Sequence, residues 1–150
     1  MVGITNLYIE SILKPTCADF LGVFSANTIP AALLQHSNFS IVCNLSGVEE
    51  TGSHFISIIN LDDCVLYLDS LGLACTVFEI GNFLRKLKKP VFYNSQQVQD
   101  VSSNFCGFYC MLFILYVNHP CTPVSFYDNQ NKLLLNDVIC VKKICEILNK

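Results

Sequence analysis

Residues 53–69 read Ser-His-Phe-Ile-Ser-Ile-Ile-Asn-Leu-Asp-Asp-Cys-Val-Leu-Tyr-Leu-Asp. Two runs rich in β-branched and aromatic residues flank a polar break, the pattern of an antiparallel hairpin. With the loop at Asn60 to Asp63, counting outward pairs Ile59 with Cys64, Ile58 with Val65, Ile56 with Tyr67 and His54 with Asp69. Directly opposed residues share a face, their Cβ atoms roughly 4.5–5.5 Å apart. An imidazole and a carboxylate so placed can hydrogen-bond, leaving the second ring nitrogen for a third group. That is the base and orienter of a nucleophilic triad. A slip of one residue would put the two on opposite faces.

The third group is sought in Gln99 to Cys110, which reads Gln-Asp-Val-Ser-Ser-Asn-Phe-Cys-Gly-Phe-Tyr-Cys. Cys106 and Gly107 stand at the head of an apolar stretch expected to be helical over about 104–118, capped by Asn104 or Ser103. At a helix N-terminus the unpaired amides and the macrodipole favour an anion, so a thiol there ionises more readily than a free one. Taken singly, each residue has an ordinary reading. His54 at a strand start can be a surface residue, and Asp69 can open the turn at Ser70-Leu71-Gly72. Cys106 can be an inert buried thiol, and Gln99 alone carries little. Their order, His, Asp, Gln and then Cys-Gly, is the informative part.

These residues resemble the adenovirus endopeptidase family (adenain), over roughly residues 15–123. Cys17 to Pro30 looks like that family's N-terminal segment, with its Phe-Leu-Gly. Ile41 to Asn44 and Glu49 to Phe55 are similar to the strand and loop that lead into its catalytic His-aromatic pair. Tyr67 to Gly72 matches the strand ending in its acidic residue. The most specific segment is Gln96-Gln97-Val98-Gln99, six residues, then Cys106-Gly107-Phe108-Tyr109-Cys110. The resemblance implies an α+β fold with a mixed, mostly antiparallel sheet flanked by helices. It also implies a thiol protease with His54 as base, Asp69 as orienter, Cys106 as nucleophile and Gln99 as oxyanion donor. Its substrates would be virion precursor proteins cut near small residues such as Gly, in the virion and in the host-cell nucleus or cytoplasm.

The sequence departs from that pattern in four places. Asp69 stands where human adenoviral members carry Glu. Asp100-Val101-Ser102 replaces the Gly-Pro-Asn that follows the glutamine, and the C-terminus is shorter than in typical members. The family's chemistry requires no cofactor, but DNA and a peptide act as activators. The cysteine that tethers the peptide in many members is Lys88 here, so a disulfide tether is not expected. Ubiquitin-like-modifier proteases share the His…Asp…Gln…Cys-Gly order and are the nearest alternative, but they usually carry Asp where Phe105 stands. An inactive binding module that keeps the fold is a second alternative. A redox pair of Cys106 and Cys110 is poorly placed within one helix.

The 150 residues suit a single domain, 1–150, with a core large enough to need no staples. Apolar residues make up 52 % and charged ones 14 %, a lean surface that suggests a partner or an assembly. The longest apolar run, Phe105 to Val117, falls short of the roughly 18–20 residues of a membrane span. Met1 to Asn6 lacks the layout of a secretory signal. Nine scattered cysteines then read as reduced thiols. His119 with Cys110 and Cys121 is a poor zinc constellation, and no metal is expected.

A net charge of −3 offers nucleic acid little overall. The exception is Arg85-Lys86-Leu87-Lys88-Lys89, with Arg85, Lys86, Lys88 and Lys89 as its cations. It reads either as a helix C-terminus complementing its dipole before Pro90, or as a small DNA-contact or nuclear-import patch.

Elsewhere the chain predicts a helix over Thr5 to Lys14 ended by Pro15, a helical turn at 31–35, and a strand over Phe39 to Leu45. Further on it predicts a helix from Thr76 to Lys89 with a Thr76/Glu79 capping box, a strand at Val91 to Tyr93, and a last helix from Leu133 to Leu148.

Overall fold

The computed structural model describes residues 4–46 and 54–150. Met1 to Gly3, and the Glu49 to Ser53 part of the loop before His54, lie outside the described residues. The element order is α1 (Asn6–Thr16), β1 (Phe20–Ser25), a 3-10 helix (Ala31–Gln35), β2 (Phe39–Asn44), β3 (Phe55–Asn60), β4 (Val65–Leu68), α2 (Phe78–Lys86), β5 (Val91–Tyr93), α3 (Cys106–Asn118), a short 3-10 helix (Gln130–Lys132) and α4 (Leu133–Leu148).

The five strands lie side by side in sequence order. β2–β3 and β3–β4 pair antiparallel, whereas the outer pairings β1–β2 and β4–β5 are parallel. The expected α+β class therefore holds, with a mixed sheet whose pairings divide equally. β1 is an element that the sequence pattern does not predict. Its Phe-Leu-Gly-Val-Phe-Ser is short and interrupted by Gly22, and a parallel edge leaves no local hairpin signal.

Strand alternation sorts the core into two layers. Val42, Phe55 and Ile59 pack with α1, α3 and α4 through Ile9, Leu13, Tyr109, Leu112, Leu115 and Ile144. On the opposite face Ile41, Ile56, Ile58 and Tyr67 pack with Leu33 and with Ile80, Phe83 and Leu84 of α2. α3 is apolar all round because it lies between the sheet and α4. No described helix is long and apolar enough to cross a membrane.

The hairpin register departs from the count given above. Asn60 pairs with Val65, Ile59 with Leu66, Ile58 with Tyr67 and Ser57 with Leu68, two residues away from the expected pairing. The turn is Leu61 to Cys64, closed by the Leu61 amide donating to the Cys64 carbonyl at 2.8 Å. Asn60 belongs to the strand because its side chain is occupied. Its amide donates to the Ser37 carbonyl at 3.0 Å and its Oδ1 accepts from Lys89 Nζ at 3.0 Å. A slip of two, unlike a slip of one, leaves every side chain on its face.

Helix ends also differ. α1 runs through Pro15 to Thr16, since a proline in the last turn removes only one helix bond and the Cys17 amide still reaches the Leu13 carbonyl at 2.8 Å. Val77 caps α2 without a side-chain bond, so the Thr76/Glu79 box does not form. Phe105, rather than Asn104 or Ser103, occupies the N-cap of α3. The last helix has the expected limits.

Candidate active site

His54 lies just before β3 and Asp69 just after β4, so the hairpin carries both at one end of the sheet. Extending the ladder would set Asp69 opposite Ile56, one pleat short of His54. The two side chains nonetheless meet, with His54 Nε2 2.6 Å from Asp69 Oδ1. Oδ1 also accepts the Leu71 amide at 2.8 Å. Asp69 is 1 % exposed. Its backbone is clamped by Asn94, whose Oδ1 accepts the Asp69 amide at 2.7 Å and whose Nδ2 donates to the Asp69 carbonyl at 2.6 Å. A carboxylate can only accept, so Nε2 carries a proton and Nδ1 is left for the thiol.

Cys106 is the first residue of α3 and is buried within bonding reach of His54. Burial pushes its thiol up. The hydrogen bond with His54, the Phe55 amide, the His54 charge and the Gly107 amide together outweigh that and bring it below the ordinary thiol value. For His54, burial favours the neutral ring, but hydrogen bonds and charge from Asp69 and Cys106 raise it to about 9. Both shifts favour a thiolate–imidazolium pair. The buried thiols of Cys17, Cys43, Cys110 and Cys140 are instead pushed up, by burial first. Gly107 allows the close packing here, since a Cβ would lie 2.7 Å from the end of the Ile4 side chain.

Gln99 is 2 % exposed. Its Nε2 donates to the Ser103 carbonyl at 2.8 Å and its Oε1 accepts the Ser70 hydroxyl at 2.5 Å. The reverse amide orientation would set two acceptors against each other at Ser103, which holds the amide this way round. One Nε2 hydrogen is used by Ser103, and among the described residues no acceptor takes the second. His54, Gln99, Cys106, Asn44, Leu71 and Ile4 line one cleft of about 580 Å³. All four residues singled out in the sequence thus meet: three line the cleft, and Asp69 stands behind His54.

Several residues around them give no sequence signal of a role at the site; Ser103 reads there only as a helix cap and Ser70 only as part of a turn. Asn94, Ser70, Ser103, Asn136 and Asp137 hold the site through backbone and loop contacts, and nothing in their spacing announces it. Of the basic run, Lys89 is turned inward to the Leu61 carbonyl at 2.6 Å, while Arg85, Lys86 and Lys88 are exposed. No group of three or more His, Cys, Asp or Glu among the described residues is arranged to hold a metal ion.

No protein-family model matches the chain, and no curated protein matches it in sequence. Solved structures do match in fold. The ASFV pS273R protease superposes with a TM-score of 0.59 at 13 % identity, over 90 % of this chain and 66 % of that one. This chain therefore spans just under two thirds of that protease. The central domain of the Lpg1148 protein from Legionella pneumophila superposes with a TM-score of 0.50 at 12 % identity, over 87 % of this chain and 88 % of that one. The fold is one that a protease also uses.

Proposed function

We propose that this chain is a cysteine endopeptidase of viral type, related to adenain, that processes virion precursor proteins. The observation that carries the reading is the convergence of Cys106, His54 and Asp69 on a cleft in which Cys106 alone, of the shifted thiols, moves toward ionisation. Likeness of fold to a protease supports it at a coarser level.

In the reaction, the Cys106 thiolate attacks the scissile carbonyl carbon and the carbonyl electron pair moves onto oxygen. The second Nε2 hydrogen of Gln99 and the Cys106 amide receive that oxyanion. The Cys106 amide lies ahead of the first intrahelical bond of α3, which runs from Tyr109 to Phe105. His54 gives its Nδ1 proton to the leaving amine, whose C–N bond breaks, and an acyl thioester remains. Water, giving a proton back to His54, hydrolyses that thioester and frees the thiolate. Asp69 keeps the ring oriented and stabilises its charge.

The preference for Gly or other small residues, and action in the virion and host nucleus or cytoplasm, rest on the resemblance described above. So does activation by DNA, for which Arg85, Lys86 and Lys88 are the exposed cations.

A vinyl-sulfone probe and a precursor-type peptide, applied to wild type and Cys106→Ala, test the reading. Labelling of Cys106 ahead of the other thiols, with cleavage abolished in the variant, is expected. A Cys106 no more reactive than the rest would remove it. A Gly-Gly isopeptide conjugate cleaved in preference to the peptide would transfer the reading to a modifier protease.

A further inference from the structure

Asp137, on α4, is buried yet makes no ion pair among the described residues. A carboxylate removed from water needs donors. Among the described residues two hydroxyls donate to it: Tyr109 Oη–H on Oδ1 at 2.9 Å and Ser103 Oγ–H on Oδ2 at 2.8 Å. A hydroxyl has one proton to give. With that proton on Asp137, the Ser103 oxygen can only accept, and it takes the Phe105 amide at 3.2 Å. Ser103 also offers its carbonyl to Gln99 Nε2 at 2.8 Å. The neighbouring Asn136 donates to the Val98 carbonyl at 2.8 Å, holding the loop just before Gln99. The first turns of α4 therefore grip both ends of the 98–105 loop. The Asn104–Phe105 peptide, one unit before the one that carries the Cys106 amide, hangs by its N–H from the same serine that holds the Gln99 amide.

We propose that Asp137 is a positioning residue for the oxyanion site: through Ser103 it holds the Gln99 amide and, by way of the Phe105 N–H, the chain entering Cys106, so that Gln99 Nε2 and the Cys106 amide stay aimed at the reacting oxygen. This rests on the protease reading. An acceptor on both sides is what the arrangement uses: an amide at 137 keeps only one oxygen, so either the Tyr109 or the Ser103 hydroxyl loses its acceptor and the hold on Ser103 weakens. That loosening would reach the site without touching Cys106 or His54.

Two reactions of the same thiol separate this role from general stability. Alkylation by iodoacetamide needs the thiolate and no oxyanion, whereas hydrolysis of N-acetylglycine p-nitrophenyl ester needs both. Asp137→Asn and Ser103→Ala should each lower ester kcat roughly ten- to hundredfold with little change in KM. The rate of Cys106 alkylation and its pH profile should remain those of wild type. Since Asp137 acts through Ser103, the double variant should be no slower than the slower single one. Ser103→Ala, which removes a half-buried hydroxyl, carries the test if Asp137→Asn fails to fold.

Wild-type kcat in Ser103→Ala or in folded Asp137→Asn overturns the inference. So does an equal loss of alkylation and hydrolysis with additive effects, the mark of a merely structural role. If the wild-type Cys106 is not alkylated ahead of the other thiols, the protease reading falls and takes this inference with it. Active wild type beside an unimpaired Asp137→Asn removes the inference alone.

Discussion

The Ser70 hydroxyl donates to Gln99 Oε1, and Ser70 directly follows Asp69, the carboxylate bonded to His54. One turn after β4 thus sets both the imidazole and the buried amide. The Ser70 carbonyl adds to this by accepting the amides of Val98 and Gln99 at 2.9 and 3.0 Å. On the proposed reading Gln99 is one oxyanion donor, so replacing it with Ala should lower kcat by about 10²–10³ with KM nearly unchanged. Ser70→Ala keeps the amide but leaves its buried oxygen without that donor, costing about 1–3 kcal/mol. Its kcat should fall less than that of Gln99→Ala. Steady-state peptide kinetics decide the point, and a Gln99→Ala enzyme with unaltered kcat would exclude Gln99 from the chemistry.

The shifted groups set a pH window. Activity should rise with pH as Cys106 ionises below its ordinary thiol value, and fall as His54 loses its proton at about 9. For stability the signs differ. His54 is raised from its unfolded value of about 6.5. It therefore contributes fully below that pH, and the contribution is lost as pH rises through about 9. Cys106 is depressed, so its contribution is present above the ordinary thiol value and lost as pH falls through the lowered one. An NMR titration of the His54 ring should show a midpoint near 9 that moves down in Asp69→Asn. A midpoint of about 6.5 in wild type would contradict the ion pair.

Gly72 makes the turn after Asp69 physically possible. Its φ is +70°, and a Cβ there would lie 2.9 Å from the backbone of Ser95, Gln96 and Gln97. Backbone atoms cannot yield as a side-chain tip can. Gly72→Ala should destabilise the fold by about 1–3 kcal/mol and push away the segment that leads into Gln99. Thermal melting should show the loss, and kcat should fall with it. Wild-type stability in Gly72→Ala would show that the two segments are not packed as tightly as described.

How much of this is legible in the sequence follows from the range of each signal. Strand periodicity finds His54 and Asp69, and the finding survives a register error only because the error is two residues and keeps the face. The error comes from assigning Asn60 to the loop by its polarity, when Lys89 and Ser37 satisfy that side chain inside the strand. Cys106 is legible because a helix start is a local pattern. Asn94, Ser103 and Asp137 are not, since their meaning lies in bonds to residues brought near only by the fold. β1 escapes for the same reason. A parallel edge strand leaves no signature in its own residues, and its partner β2 begins 14 residues after β1 ends.

Lys89 divides the basic run into two jobs. Its ammonium donates to the Leu61 carbonyl at 2.6 Å, Asn60 Oδ1 at 3.0 Å and the Ser37 carbonyl at 3.4 Å, tying the hairpin tip to the approach to β2. Arg85, Lys86 and Lys88 remain exposed, Arg85 also touching Asn82. Lys89→Met should therefore lower stability by about 1–3 kcal/mol, as for hydrogen bonds to a charged group. If DNA is an activator, its phosphates should meet the other three cations. Replacing Arg85, Lys86 and Lys88 together by Ala should then weaken duplex binding and flatten its salt dependence, by roughly 0.9 in log–log slope for each phosphate no longer neutralised. Stability should stay close to wild type in that triple variant, since the three side chains lie on the surface. Fluorescence anisotropy across a salt series, beside thermal melts, reads both effects. A triple variant that binds duplex DNA as wild type does would remove the patch as a binding surface. A Lys89→Met protein as stable as wild type would remove the tie.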